Sequence, residues 1–198
     1  VNQKINVDLI TPTKKFYLSK NRTLGISLSN VNFFNSDIIN IEKIIWKLKK
    51  IEIYSDKLKN EKLIKFEKNT NYLFSILKNY ELIKILKNSL IKNKYFKKIN
   101  YTNKILYNNY NLVINTDYNN ILSKRYFSKR IIKEYNSFAY STIIHHDKIL
   151  NNTATQIFTK RGPLAFLPIS NKETSIVYSI QKPEIDFREN IINLINQY

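Results

Sequence analysis

Apolar and polar positions along this 198-residue chain switch repeatedly between a period near two and a period near three and a half. Residues 5–10 alternate weakly into an apolar run that ends at Thr11-Pro12, predicting a short strand stopped by a turn. A loop is expected over 21–25, around Gly25. Ser29-Asn30 reads as the cap of a helical segment that begins near Phe33. From 37 to 50, Ile38, Ile41, Ile45 and Leu48 fall at helical spacing, with Trp46 alongside. Residues 51–54 alternate as a strand, and 63–66 are its expected partner. The stripe of Leu82, Ile83, Leu86 and Leu90 marks the best helix, over 72–92. Residues 111–115 then read as a short apolar strand running into Thr116-Asp117.

The last third changes character. Residues 139–144, 154–158, 164–169 and 175–180 are four strand-like runs separated by polar turns, and their spacing predicts an antiparallel meander. A short helical pattern over 190–196 closes the chain. Helices with a parallel strand first, then antiparallel strands, indicate an α/β or α+β architecture.

Composition narrows the function. Hydrophobic residues at 43% and aromatics at 13% are too many for a disordered chain. No apolar run is long enough for a membrane-spanning helix, and no signal-type segment opens the sequence. The absence of cysteine excludes a disulfide scaffold and any thiolate metal site. There is no methionine and Val1 stands first, so a piece of a longer chain is expected.

Lys and Arg total 33 against 15 acids, a net charge of +18. Such a balance fits a basic nucleic-acid-binding module or an anionic membrane surface. It also fits composition alone, because Lys, Asn, Ile, Tyr and Phe are the residues of A/T-only codons. Lys84, Lys87, Lys92 and Lys94 punctuate amphipathic stretches as a solvated face would, so nucleic acid is not the favoured partner.

Candidate chemistry is sparse. His145-His146-Asp147 is the only histidine cluster, and neighbours in a strand point to opposite faces, so no shared metal is expected. No nucleophile elbow and no phosphate-binding glycine motif occurs, and Gly25 and Gly162 stand too far apart to make one. The strongest local signal is 154–169, a strand, a Gly162-Pro163 turn and a second strand stopped by Pro168, with a third strand at 175–179.

Ala-x-Gln-x-Phe at 154–158, Gly-Pro-Leu-Ala-x-Leu-Pro at 162–168 and Ser-x-Val-Tyr-Ser at 175–179 resemble the substrate-domain sheet of the FAD-dependent hydroxylases of ubiquinone biosynthesis. These are aromatic-ring flavoprotein monooxygenases of the para-hydroxybenzoate hydroxylase class. Arg22-Thr23-Leu24-Gly25-Ile26-Ser27 is similar to the segment after that family's second strand, and Ile44-Ile45-Trp46 to a Leu-Trp pair closing its next helix. Residues 51–55 fit the following strand, and Asn79-Tyr80-Glu81-Leu82, with Leu86 and Leu90, the helix after it. Residues 112–117 resemble the second flavin fingerprint, ending at Asp117.

The departures are specific. The first glycine-rich turn and the later Gly-Asp-Ala-Ala-His stretch are absent. Tyr118 stands where the fingerprint has glycine, Ile121 where serine is usual, and Lys124 where arginine is usual.

The resemblance implies an incomplete FAD-binding Rossmann-like domain over 1–130 and an antiparallel substrate-domain sheet over 131–198. It implies FAD as cofactor and hydroxylation of a polyprenyl-phenol ring by the intact protein, this piece being inactive alone. Arg22 would lie near the flavin phosphates or ribityl, and Asp117 would accept a flavin-side hydrogen bond. Gly162, Pro163, Leu164, Phe166 and Pro168 would belong to the sheet beside the isoalloxazine. No catalytic side chain or metal is expected, since the cofactor carries such chemistry. Implied partners are the substrate, other ubiquinone-biosynthesis proteins and a peripheral membrane contact on the inner face, in the cytoplasm. The alternatives are the basic nucleic-acid-binding module and a non-catalytic relative of the hydroxylases.

Overall fold

The computed structural model describes residues 4–11, 19–58, 61–69, 71–101, 107–117, 119–127, 129, 131–181, 193 and 195. They form a mixed, sheet-rich α+β fold. A three-stranded antiparallel sheet is built from β2 (Thr23–Ser27), β3 (Ile45–Leu48) and β6 (Phe74–Lys78), with β6 in the centre. Its two faces are both covered. Ile26 and Leu77 meet Val31 of helix α1 (Leu28–Phe33), Ile41, and Leu82 and Ile85 of α2 (Asn79–Ile91). On the other side Leu48, Ile76, Trp46 and Phe74 pack with Ala154 and Leu167 of a second sheet and with Ile169 just beyond it.

That second sheet has six strands. Two come from the first 130 residues, β4 (Lys50–Ser55) and β5 (Lys62–Glu67). The others are β8 (Ser137–His145), β9 (Thr153–Thr159), β10 (Gly162–Pro168) and β11 (Glu173–Gln181). The order is β5-β4-β9-β10-β11-β8, antiparallel except for the parallel β4–β9 pair. Period-two alternation puts Leu164 and Phe166 on one face with Ile176, Tyr178 and Ile180, away from the three-stranded sheet. A separate parallel pair joins β1 (Val7–Thr11) to β7 (Phe96–Asn100). Among the described residues no helix is long and apolar enough to cross a membrane.

The strands at 51–54 and 63–66 and the four C-terminal runs stand where the pattern puts them. Several elements differ. Residues 37–50 are not a helix: a π-helical turn, Phe34–Ile38, ends where Ile39 goes extended, and Asn35 Oδ1 accepts the Ile41 N–H at 2.8 Å. Ile45 then faces the helices while Trp46 and Leu48 face the six-stranded sheet, so Trp46 lies in a strand and closes no helix. The expected loop at 21–25 enters β2, and the cap of α1 is Ser27, whose Oγ accepts from Asn30 N at 3.3 Å.

The stretch 72–92 divides into β6 and α2. Residues 111–115 carry no strand. The meander holds for β9, β10 and β11 only, because β8 pairs with β11 at the far edge. The pattern at 190–196 lies outside the described residues except at 193 and 195.

Candidate functional site

Two neighbouring cavities form where the chain leaves β7 and reaches helix α3 (Ile121–Tyr126). The larger, about 790 Å³, has apolar and aromatic walls from Tyr107, Val113, Leu122, Tyr126, Phe127 and Ile131. Asn115, Thr116, Ser123 and Lys129 supply its polar groups. The smaller, about 380 Å³, runs between β1 and residues 112–117. Both volumes fall in the range of small-molecule sites.

Asp117 stands at the rim of the smaller cavity, in a turn that local polar side chains build. Asn115 Oδ1 accepts the Asp117 N–H at 3.2 Å, and Asp117 Oδ1 accepts the Asn119 N–H at 2.9 Å. Asn120 caps α3 by accepting from Leu122 N at 3.0 Å. Ser123, buried, donates to the Asp117 carbonyl at 3.0 Å and accepts from Asn115 Nδ2 at 2.7 Å. One Asp117 carboxylate oxygen is thus engaged by the turn. Across the cavity Tyr110 donates its phenol to Asp8 Oδ2 at 2.8 Å. That bond, and after it burial and the Asp8 charge, push the Tyr110 phenol above its ordinary pKa.

Arg22 lies elsewhere. It is exposed just before β2, and its carbonyl accepts the Asn79 N–H that opens α2 at 3.0 Å. It is not among the walls of either cavity, so the described contacts do not bring Arg22 and Asp117 together. Gly162, Pro163, Leu164, Phe166 and Pro168 form β10, the strand between β9 and β11. Leu164 and Pro168 are fully buried and Pro163 is exposed. Lys124 and Ile121 lie in α3; Tyr118 lies outside the described residues.

The sequence reading missed a polar seam between the two larger sheets. Lys78, at the end of β6, donates to Glu173 Oε2 of β11 at 2.9 Å. His145 Nδ1 stands 3.6 Å from the other Glu173 oxygen. Burial draws the Lys78 ammonium down, but the Glu173 bond and charge, with Tyr80 and Glu81, outweigh it and leave the pKa raised. Thr23 and Ser175 hydroxyls meet at 3.0 Å, and Trp46 Nε1 donates to the Asn151 carbonyl at 2.6 Å. His146, just past the end of β8, bonds instead to Thr174 Oγ1 at 3.0 Å. No sequence pattern marks these pairs, because each joins residues far apart in the chain.

A solved structure of a PqsL quadruple mutant from P. aeruginosa matches this geometry over 89% of the present chain and 55% of that one. The TM-score is 0.69 at 13% identity. The likeness is one of fold. The chain therefore spans little more than half the length of the solved protein it matches. No protein-family model and no curated protein matches the sequence. These findings correct the expected membership of the ubiquinone-biosynthesis hydroxylases. The segments that suggested it are strand and turn patterns, and at 13% identity such patterns follow a common fold without fixing a family.

The described residues fit part of a flavin. The larger cavity offers aromatic and aliphatic walls to a flat ring, with Asn115, Thr116 and Ser123 as hydrogen-bonding groups. They offer no glycine turn for a pyrophosphate, since Gly25 and Gly162 both lie in the antiparallel sheets, away from the cavities.

Proposed function

We propose that this chain is the greater part of the scaffold of a flavin-dependent monooxygenase that hydroxylates an aromatic ring, with FAD as its cofactor. The supporting observation is the fold shared with PqsL along 89% of the chain. Reduced flavin and O₂ supply the oxygen-transfer chemistry when the cofactor is bound. The protein's part is to hold the ring system against apolar walls, exclude water and orient the substrate.

On this reading Val113, Leu122 and Phe127 pack on the cofactor, Asn115 and Thr116 hydrogen-bond its polar edge, and Asp117 accepts from it through its remaining oxygen. Arg22 lies outside both cavities and takes no part in this reading of the cofactor site. The β10 strand belongs to the wall of the substrate side.

Flavin titration tests the proposal. The product of the complete reading frame is expected to purify with one flavin per chain and to oxidise a reduced nicotinamide faster when an aromatic substrate is added. The 198-residue chain is expected to retain none, because the phosphate-binding turn is not among its described residues. A complete product without bound or bindable flavin would refute the reading.

A further inference from the structure

Helices α1 and α2 cover the same face of the three-stranded sheet, since Val31 of one and Leu82 and Ile85 of the other enter one core with Ile26 and Leu77. The residues that these helices do not turn inward form the outer surface of that layer. Phe33, two residues and about 200° round the helix from Val31, points outward and is 54% exposed. On α2 the side away from Leu82 and Ile85 carries Lys84, Lys87 and Ile91, a stripe at spacings of three and four. Both lysines are exposed, and Ile91 is 75% exposed. Lys92 and Lys94, also exposed, follow in the turn after the helix.

These lysines have no counter-charge among the described residues. No Asp or Glu stands between Glu81 and Asp117, an interval that holds seven lysines. The lysines that pair with acids, Lys47, Lys50, Lys62, Lys65 and Lys78, all lie in strands. None of Lys84, Lys87, Lys92 and Lys94 makes an ion pair among the described residues; Lys94 stands 5.1 Å from the centre of the Tyr95 ring instead. The acids at the margins are engaged locally, Asp37 by Ser36 Oγ and Glu81 by the Tyr80 phenol at 3.0 Å. Composition accounts for the number of lysines in the chain. It does not account for a layer on which four unpaired ones accompany two exposed apolar side chains.

We propose that the outer surface of the α1–α2 layer docks on an anionic lipid bilayer. The ammonium groups of Lys84, Lys87, Lys92 and Lys94 would meet lipid phosphates, while Phe33 and Ile91 enter the boundary between headgroups and acyl chains. Lysine is a compact point charge suited to a field of phosphates, whereas a nucleic-acid strand is held by guanidinium forks and stacked rings. Such docking is peripheral and reversible, because the charges and the apolar side chains must act together. The inference stands apart from the flavin reading: vesicle binding is read by sedimentation, flavin binding by absorbance, and either can fail alone.

Vesicle co-sedimentation of the product of the complete reading frame decides it. Binding to phosphatidylcholine vesicles carrying about 30% phosphatidylglycerol should be on the order of 100-fold tighter than to phosphatidylcholine alone, and should be released by about 0.5 M salt. The quadruple variant Lys84→Gln, Lys87→Gln, Lys92→Gln, Lys94→Gln should abolish that preference. A second quadruple, Lys68→Gln, Lys148→Gln, Lys160→Gln, Lys172→Gln, removes the same charge from exposed turns of the six-stranded sheet. It should change the preference by less than about 3-fold. Phe33→Ser with Ile91→Ser should weaken binding about 10-fold and leave its salt dependence in place. Every substituted side chain is exposed, so all three variants should melt with the parent. A parent that does not prefer anionic vesicles overturns the proposal. So does an equal loss in the two lysine quadruples, which would make the charge a property of the whole chain. Unchanged binding by the Phe33–Ile91 variant overturns it as well. Tighter binding of the same four lysines to single-stranded RNA than to vesicles at equal salt would give the face to nucleic acid instead.

Discussion

Replacing Gly162 by alanine would place a methyl group where the structure has a carbonyl. Gly162 opens β10 with φ near +140°, a backbone conformation that side-chain-bearing residues rarely adopt. A Cβ built there lies 2.0 Å from the Ser179 carbonyl oxygen and 3.1 Å from its carbon, both main chain of β11. Neither can rotate away, because Ser179 pairs with Ala139 on its other side. The turn is further held by Thr159 Oγ1, which donates to the Gly162 carbonyl at 2.7 Å. Backbone strain of about 1–3 kcal/mol adds to roughly 1–3 kcal/mol for displacing packed main chain. The expected loss is about 3–5 kcal/mol, a large share of the ~5–15 kcal/mol that holds a domain together. Urea unfolding followed by Trp46 fluorescence reads this directly, as a midpoint lowered by ~1–3 M. Gly25→Ala is the control. Its Cβ would meet the Phe74 ring at 2.3 Å, but that is a side chain and no unusual φ is required. A Gly162→Ala midpoint within error of the parent, or a larger loss for Gly25→Ala, would refute the reasoning.

Trp46→Phe removes the donor to the Asn151 carbonyl and should cost about 1–2 kcal/mol, measured by calorimetry because the fluorescent probe goes with it. Asn151→Asp turns a side-chain donor, 2.8 Å from the Ser170 carbonyl and 3.2 Å from the Glu173 carbonyl, into an acceptor facing two acceptors. It should lose about 2–4 kcal/mol at neutral pH and recover part of that as acid protonates the new carboxyl, read as Tm against pH. Glu173→Gln breaks the ion pair with Lys78 at the seam. About one-fifth of each side chain is exposed, so a loss of ~1–2 kcal/mol is expected in urea unfolding, shrinking in high salt. Glu67 bonds to Lys65 and Lys50, which hold its carboxyl at about 2. A depressed acid favours the folded state above its unfolded pKa near 4.5 and loses that contribution as pH falls toward 2. Carbon-detected NMR titration should give a midpoint near 2, rising in Lys65→Gln; a midpoint near 4.5 in the parent would refute the pairing.

The C-terminal sheet was legible because its strands are short apolar runs set off by polar turns. Leu164 and Phe166, like Ile176, Tyr178 and Ile180, recur at a period of two on one face, and Gly162 marks the turn between strands. The three-stranded sheet was not, because both of its faces are buried. Phe74-Ser75-Ile76-Leu77 then reads as a continuous apolar run that merges with the stripe of α2, so strand and helix look like one element. At 38–48 the isoleucines satisfy helical spacing by coincidence: Ile41 and Ile45 go to the helical side and Leu48 to the other sheet. The adjacent β-branched pair Ile44-Ile45 was the signal for a strand.

Asp117 could be singled out from sequence because a carboxylate after an apolar run reports a turn, whatever else it does. What it could not report is the wall beside it. Tyr107, Tyr126 and Phe127 close the larger cavity, yet aromatic residues are spread along the whole chain, so no local enrichment distinguishes these three. Their convergence depends on the turn that Asn115, Asn120 and Ser123 build by hydrogen bonding, and each of those residues read alone is only a polar loop residue. The same holds for the seam: Lys78 and Glu173 are two charges among many until strand register puts β6 and β11 against each other. Sequence periodicity records which face of an element is buried. It does not record which two elements share a boundary, and in this fold the candidate chemistry lies at such boundaries.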